Sequence, residues 1–335
     1  MPSTPPDATE LARAFDLGAP LAPAEWMSSG WGGHNQLSRL TTSRGSWAIK
    51  QVGRDLSLDP DKMLRLELAA YAGRIPMPRP IPTTYGRCFA VLDGRRYRCH
   101  EWIDGVALPW HGHPPATAAA VGGVLARLHG LRLPWSSHLA PERPSHGMTR
   151  WLALAESTRS FDAELRISLD RAVPSIEDLE TLTSTISPVE PMVGSHRDLH
   201  PTNVMRLREG RGLVLVDWDA AGPVVPVQGV VCFALVFAER GNNSGYDAEV
   251  ARAFINGYRE AGGASTFRGR EDLAMLVQGR LWWTEQNLRM ALAPRASVDQ
   301  RHLSVELLRS LELLPAELFN MCDILFEIAS SPGEG

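Results

Sequence analysis

The chain has 335 residues, 44% hydrophobic and 21% charged, a composition of ordinary globular proteins that holds a core large enough for two folding units and excludes long disorder. A formal charge of -4 with scattered basic residues gives nucleic acid no electrostatic footprint, and no run of about eighteen apolar residues is present to span a bilayer. The four cysteines, Cys88, Cys99, Cys232 and Cys322, stand far apart without a Cys-x-x-Cys pair, which opposes a zinc ribbon or a disulfide framework, and with no signal-like start at Met1 a reducing, cytoplasmic setting is expected.

Along the chain, Ala8 to Leu17 reads as a short helix ended by Gly18 and Pro20. Gly30, Gly32 and Gly33 fall in a turn between two expected strands, where backbone amides can approach phosphate oxygens, although Asn35 replaces the last glycine of Gly-x-Gly-x-x-Gly. Gln36 to Thr41 and Ser46 to Val52 read as strands joined by Ser43-Arg44-Gly45, and alternation puts Ala48 and Lys50 on one side. Pro60 to Arg74 is a helix expected to bury Leu64, Leu68, Tyr71 and Ala72, with Glu67 bordering that face. The four prolines of Ile75 to Pro82 forbid helix and interrupt sheet ladders, leaving an extended connector. Cys88 to Leu92 and Arg96 to Ile103 then read as strands around Asp93-Gly94.

Ala116 to Leu131 is a helix with Val121, Val124, Leu125 and Leu128 as its core stripe, and the preceding His111-Gly112-His113 lacks a third ligand at usable spacing and reads as loop. Thr149 to Leu169 and Ile176 to Ile186 are further helices, with Pro174 and Pro188 as breaks. Asn203 to Leu207 and Leu213 to Asp217 read as a hairpin and Gly229 to Glu239 as a buried helix. Asp247 to Glu260, Arg270 to Leu292 and Val298 to Leu313 are helical by period, the last ended by Pro315 ahead of a C-terminal helix.

The chemistry concentrates in Ser195 to Asn203 and Leu213 to Asp219. Pro201 discourages helix between Asp198 and Asn203, and Asp217 closes an apolar run, so three oxygen-bearing side chains are expected near one another. Phosphoryl transfer from a nucleotide requires such a set: one carboxylate to orient the attacking hydroxyl and take its proton, a second with an amide oxygen to hold magnesium on the phosphates. His196-Arg197-Asp198, four residues, Asn203 and then Asp217 match the kinase catalytic loop and its metal-binding Asp. His196 and His200 have a zinc-like spacing only if helical; His196 reads as an inward brace of the loop, and His200 as a brace or a substrate contact. The sequence holds neither a P-loop nor a Gly-x-Ser-x-Gly elbow.

His196 to Val204, with Val216-Asp217-Trp218-Asp219, resembles the aminoglycoside phosphotransferase and choline kinase family of small-molecule kinases. The resemblance implies an α+β, two-lobed protein-kinase-like fold, with a small antiparallel-sheet N-lobe over 1–104 and a larger, mostly helical C-lobe over 105–335. It implies ATP and Mg²⁺ as cofactors, Asp198 as the catalytic base, Asn203 and Asp217 as metal ligands, and Lys50 paired with Glu67 on the phosphates. Glu101, Trp102 and Ile103 resemble the inter-lobe hinge that holds adenine through its backbone. The stretch from Trp218 to Gln228 is too short for a protein kinase's activation segment, and no Ala-Pro-Glu follows, so a small-molecule hydroxyl acceptor is expected and a protein substrate is not. Aminoglycosides or other aminated antibiotics are the first expectation, with a possible resistance role; amino alcohols, sugars and homoserine-like acceptors stay open. His200, Asp219, Glu239, Trp282 and Glu285 are the candidate substrate contacts, with structural ion pairs as the alternative for the acids. From another class, a nucleotide-binding protein without catalysis is the competing reading, and the intact motif weighs against it.

Overall fold

The computed structural model describes residues 7–27, 36–53, 59–131, 147–158, 162–184, 192–210, 212–241, 245–264, 266–294 and 296–330, so the turn carrying Gly30, Gly32 and Gly33 lies outside the described residues. Contacts divide the chain into one unit of Met1–Trp110, Val124–Glu142 and Val193–Pro223 and another of His111–Gly123, Arg143–Met192 and Val224–Gly335.

The first unit opens with α1 (Ala8–Ala14), whose free N–H groups of Thr9 and Glu10 donate to Asp7 Oδ1 at 2.8 and 2.9 Å. It stops short of Leu17, because Asp16 takes a left-handed φ of +52°. A six-stranded antiparallel sheet follows, built of β1 (Glu25–Trp26), β2 (Gln36–Thr42), β3 (Gly45–Val52), β4 (Pro80–Ile81), β5 (Ala90–Leu92) and β6 (Arg95–Glu101) in the order β1-β2-β3-β6-β4, with β5 also on β6. Asp93 at φ +50° and Gly94 at +72° form the β5–β6 turn with both central residues left-handed, the geometry whose twist suits a hairpin. One face of the sheet packs Trp47, Ile49, Tyr97 and Cys99 against Leu11, Phe15 and Leu17. By alternation the opposite face carries Lys50 of β3 directly across from Arg98 of β6, and Ala48 across from His100.

Two expectations in this unit are corrected. The proline-rich connector does join a ladder: Pro80 and Ile81 pair with His100 and Cys99 at the sheet edge, where a missing N–H is tolerated, and the carbonyl of Pro76 accepts from Leu215 N at 2.8 Å. α2 (Pro60–Ala72), capped by Asp59, buries Met63, Leu64, Leu66, Glu67 and Ala70, whereas Leu68 and Tyr71 are 40% and 41% exposed. Apolar residues surround this helix, so two stripes have helical spacing and period alone cannot choose between them. The rest of the unit is short strands: β7 (Gly105–Ala107), β9 (Val204–Leu207) and β10 (Leu213–Leu215) form a sheet in the order β10-β9-β7, and β8 (Val193–Ser195) pairs with β11 (Gly222–Val224). α3 (Pro115–Gly130), with Val121, Val124, Leu125 and Leu128 buried, is divided between the units after Gly123.

The second unit is helical: α4 (Gly147–Thr158), α5 (Ala163–Ser184), α6 (Pro226–Ala238), α7 (Ala248–Glu260), α8 (Ala274–Ala291) and α9 (Val298–Ser330). Pro174 and Pro315 were expected to break helices and instead lie inside α5 and α9. A proline in a helix costs about 3 kcal/mol, yet Leu165, Leu169, Ala172, Ile176 and Leu179 keep one buried stripe through Pro174, and Leu308, Leu311, Leu314 and Leu318 do so through Pro315. The two helices pack together, and Ser175 Oγ donates to the carbonyl of Glu312 at 3.0 Å, three residues before Pro315, where the backbone ladder is weakened. α6 begins at Pro226 rather than Gly229, since proline suits the first helical position. The first half of α3 meets α7 backbone to backbone: a Cβ on Gly122 would stand 2.1 Å from Phe254 O, and one on Gly257 2.1 Å from Ala119 O. No described helix is long and apolar enough to cross a membrane.

Candidate functional site

The site is built in the first unit, around the bend after β8. His200 to Asn203 turn through a short 3-10 segment, Pro201–Asn203, so that Asn203 Nδ2 donates to the Asp198 carbonyl at 2.8 Å and to Asp198 Oδ2 at 3.2 Å. The Asn203 carbonyl in turn accepts from Val216 N at 2.9 Å, which brings Asp217 beside the loop. Asp217 lies two residues past β10 rather than on it, at φ +62°, and Arg197 has the same φ. Two non-glycine residues in the left-handed region, Asp217 itself and the residue before Asp198, each cost on the order of 1 kcal/mol or more, as strain at a site that the surrounding structure enforces.

His196 supplies part of that enforcement. It is fully buried, its Nε2–H donates to the carbonyl of Val216 at 2.9 Å, and its ring meets Trp218 edge-on at 4.9 Å. Burial pulls its pKa below the ordinary histidine value, against the raising influence of Asp198, so the ring is neutral. His200 accepts at Nε2 from Asn203 Nδ2 at 3.0 Å and is bonded at Nδ1 to Thr202 Oγ1 at 2.9 Å, and its Nε2 is 3.7 Å from Asp198 Oδ2. Trp110 lies 4.9 Å from the His200 ring.

Lys50 extends from β3 to Asp217 Oδ1 at 2.5 Å and Asp219 Oδ2 at 2.7 Å. Burial alone would lower its pKa; the two carboxylates outweigh that and hold it above the usual lysine value. The expected Lys50–Glu67 pair is not made. Glu67, with 0% exposure, gives Oε1 to Arg98 and Oε2 to His100 Nε2 at 2.8 Å. Arg98, 2% exposed, also holds Asp219 Oδ1. Burial opposes ionisation of both acids, and their partners prevail: Arg98 and the hydrogen bond with His100 keep Glu67, and Lys50 and Arg98 keep Asp219, below the ordinary carboxylate range. Sequence reasoning missed Arg98 and His100. Their signal was alternation in β6, two polar residues of like sign at a two-residue step in a strand whose other face is apolar.

The remaining candidates have other surroundings. At the end of β6, Glu101 N donates to Arg79 O at 2.9 Å and Trp102 N to Ser46 O at 3.0 Å, which leaves Ile103 N–H as the hinge donor not so engaged among the described residues. In the second unit, Glu239 is held by Arg280 at 2.8 Å, and Glu285 by Arg150 and Arg289, each at 2.8 Å. Trp282 is 38% exposed and 6.4 Å from Trp283.

Asn203 and Asp217 offer an amide and a carboxylate oxygen, hard donors of the kind Mg²⁺ takes, next to a lysine suited to phosphate. Among the described residues no three His, Cys, Asp or Glu side chains gather into a metal cage of their own, so an ion here would be completed by phosphate oxygens and water.

Residues 28–276 match the family described as Phosphotransferase enzyme family. No curated protein matches the chain in sequence. The fold is that of a spectinomycin phosphotransferase solved with ADP and spectinomycin, at 17% identity and a TM-score of 0.66 over 96% of this chain and 97% of that one. An amicoumacin kinase solved with AMP-PNP, Ca²⁺ and Ami aligns at 14% identity and a TM-score of 0.62 over 91% of both chains. An ethanolamine kinase of Plasmodium vivax aligns at 18% identity and 0.59, over 88% of this chain and 82% of that one.

Proposed function

Because the chain belongs to the phosphotransferase enzyme family, we propose that it moves the γ-phosphoryl group of ATP to a hydroxyl of a small molecule. The observation that carries the reading is the convergence of Asp198, Asn203 and Asp217 through the bonds of Asn203. Asp198 orients the acceptor hydroxyl and accepts its proton as the oxygen attacks phosphorus. Lys50 neutralises phosphate oxygens, and the Ile103 N–H is the backbone donor for adenine. Asn203 and Asp217 would hold Mg²⁺, which would offset the charge of the transferring group. Positioning and charge neutralisation account for most of the rate in such a transfer. The nucleotide-bound phosphotransferase and amicoumacin kinase that share the fold support ATP as donor. A functional division near residue 104 goes with this reading, the sheet side serving the nucleotide and the remainder the acceptor.

Two acceptor classes are in view: aminated antibiotics, and small metabolites such as an amino alcohol, a sugar or a homoserine-like compound. The test is a screen of both classes for Mg·ATP-dependent phosphorylation. Asp198→Asn is expected to lower turnover on the order of 100-fold or more while nucleotide affinity is kept; product formed by that variant at the normal rate would refute the assignment.

A further inference from the structure

We infer that Asp219, rather than Glu67, is the residue that positions Lys50 against the nucleotide phosphates, so that the lysine's anchoring acid comes from the Asp217 loop instead of from helix α2. The inference rests on the phosphotransfer reading above and goes beyond it in assigning this role. Both carboxylate oxygens of Glu67 are engaged, Oε1 by Arg98 and Oε2 by His100, and the side chain is buried. Asp219 is a single carboxylate shared by two cations, Oδ2 on Lys50 at 2.7 Å and Oδ1 on Arg98.

The strand register explains why an acid is needed at that point. Lys50 and Arg98 are directly opposed on one face of adjacent strands, an arrangement of like charges that is unfavourable unless an anion lies between them. Asp219 fills that place. Asp217 cannot serve as the lasting anchor, because a metal ion on the phosphates would claim its carboxylate. When it does, Asp219 is the partner that keeps Lys50 aimed, while Arg98 holds Asp219 from behind and Glu67 holds Arg98.

The test is a double-mutant cycle on Mg·ATP affinity, measured by calorimetry, with a reading of Lys50 acylation by an amine-reactive ATP acyl phosphate followed by peptide mass spectrometry. Asp219→Asn is expected to weaken Mg·ATP binding about tenfold in the native background and much less beside Lys50→Met, because contacting residues couple. Glu67→Gln is expected to act independently of residue 50, its coupling to Lys50→Met staying below about twofold. Acylation of Lys50 should fall in Asp219→Asn, where the amine is no longer aimed at the phosphates. If Asp219→Asn does not fold, Asp219→Glu keeps the charge that Arg98 requires and displaces the carboxylate from Lys50; a smaller loss, about threefold and again dependent on Lys50, is then expected. Coupling of Lys50 to Glu67 with none to Asp219 would overturn the assignment and leave the phosphotransfer reading standing. A native chain that binds no Mg·ATP would overturn that reading and this inference together.

Discussion

His196 touches the residues on either side of Asp217, the Val216 carbonyl by a hydrogen bond and the Trp218 ring by an edge contact, while itself standing two residues before Asp198. One neutral ring thus fixes the separation of the two acids. His196→Leu removes a hydrogen bond worth about 1 kcal/mol and frees the Asp217 bend, so turnover on any acceptor should fall between roughly ten- and a hundredfold with a smaller change in nucleotide affinity. Unaltered turnover would show that the bend holds without it. Arg98 has a larger effect on stability, since replacing it by Leu strands Glu67 and Asp219. The expected cost is on the order of 3–5 kcal/mol, read as a drop in urea midpoint, and a variant of native stability would refute the pairing. At this scale the gathering of Asp198, Asn203 and Asp217 was legible because those residue types stand at fixed offsets. Arg98 and His100 were not, because a buried ion pair between a helix and a strand leaves no spacing to read in one dimension.

Helix existence was legible from period, and helix limits were not where tertiary packing overrode a local rule. Pro174 and Pro315 are breakers by chemistry, yet the stripes of α5 and α9 run through them and pack on one another. The face of α2 was misread for a related reason: with apolar residues around its whole circumference, the inward side was decided by Glu67 finding Arg98 and His100. The crossing of α3 and α7 is where a small change at element scale has the largest predicted effect. Gly257→Ala puts a Cβ into the Ala119 carbonyl, a backbone atom that cannot turn aside, and should cost roughly 2–3 kcal/mol or more in the denaturation midpoint. Gly94, in open space but at φ +72°, is the contrasting case, where alanine meets backbone strain alone and the cost should be nearer 1 kcal/mol.

For the molecule as a whole, two buried histidines, His196 of the loop and His129, give stability a sign with respect to pH. His129 lies against Ser195 Oγ at 3.0 Å, and burial pulls its pKa from 6.5 down to about 3. Between those values the unfolded chain binds a proton that the folded chain refuses. Stability that is whole above about pH 6.5 is therefore lost as pH falls, by about 1.4 kcal/mol per pH unit from this group. Glu67 and Asp219, held below the usual carboxylate range, work in the same direction only at lower pH, since their share is present above the unfolded carboxylate pKa and lost on falling through the folded one. Urea midpoints at pH 7.5 and 5.5 should separate in the native chain and separate less in His129→Gln, where His196 still contributes; equal separation in both would refute the account. The α+β class and the kinase-like architecture were legible because the motif and the alternation of strands and helices agree. Residue 129, one polar side chain at the end of an apolar stripe, gave no hint of its depth.

The carbonyl of Pro76 receives Leu215 N, the last strand residue before the Asp217 bend, and four residues later Pro80 is laddered to His100 on the strand that carries Arg98. A rod with every second φ fixed by a pyrrolidine ring thus ties the sheet that carries Lys50 and Arg98 to the hairpin that precedes Asp217. Such a strut has few soft torsions through which to stretch or fold. The approach of Lys50 to Asp217, 2.5 Å from Nζ to Oδ1, is accordingly set by a stiff spacer.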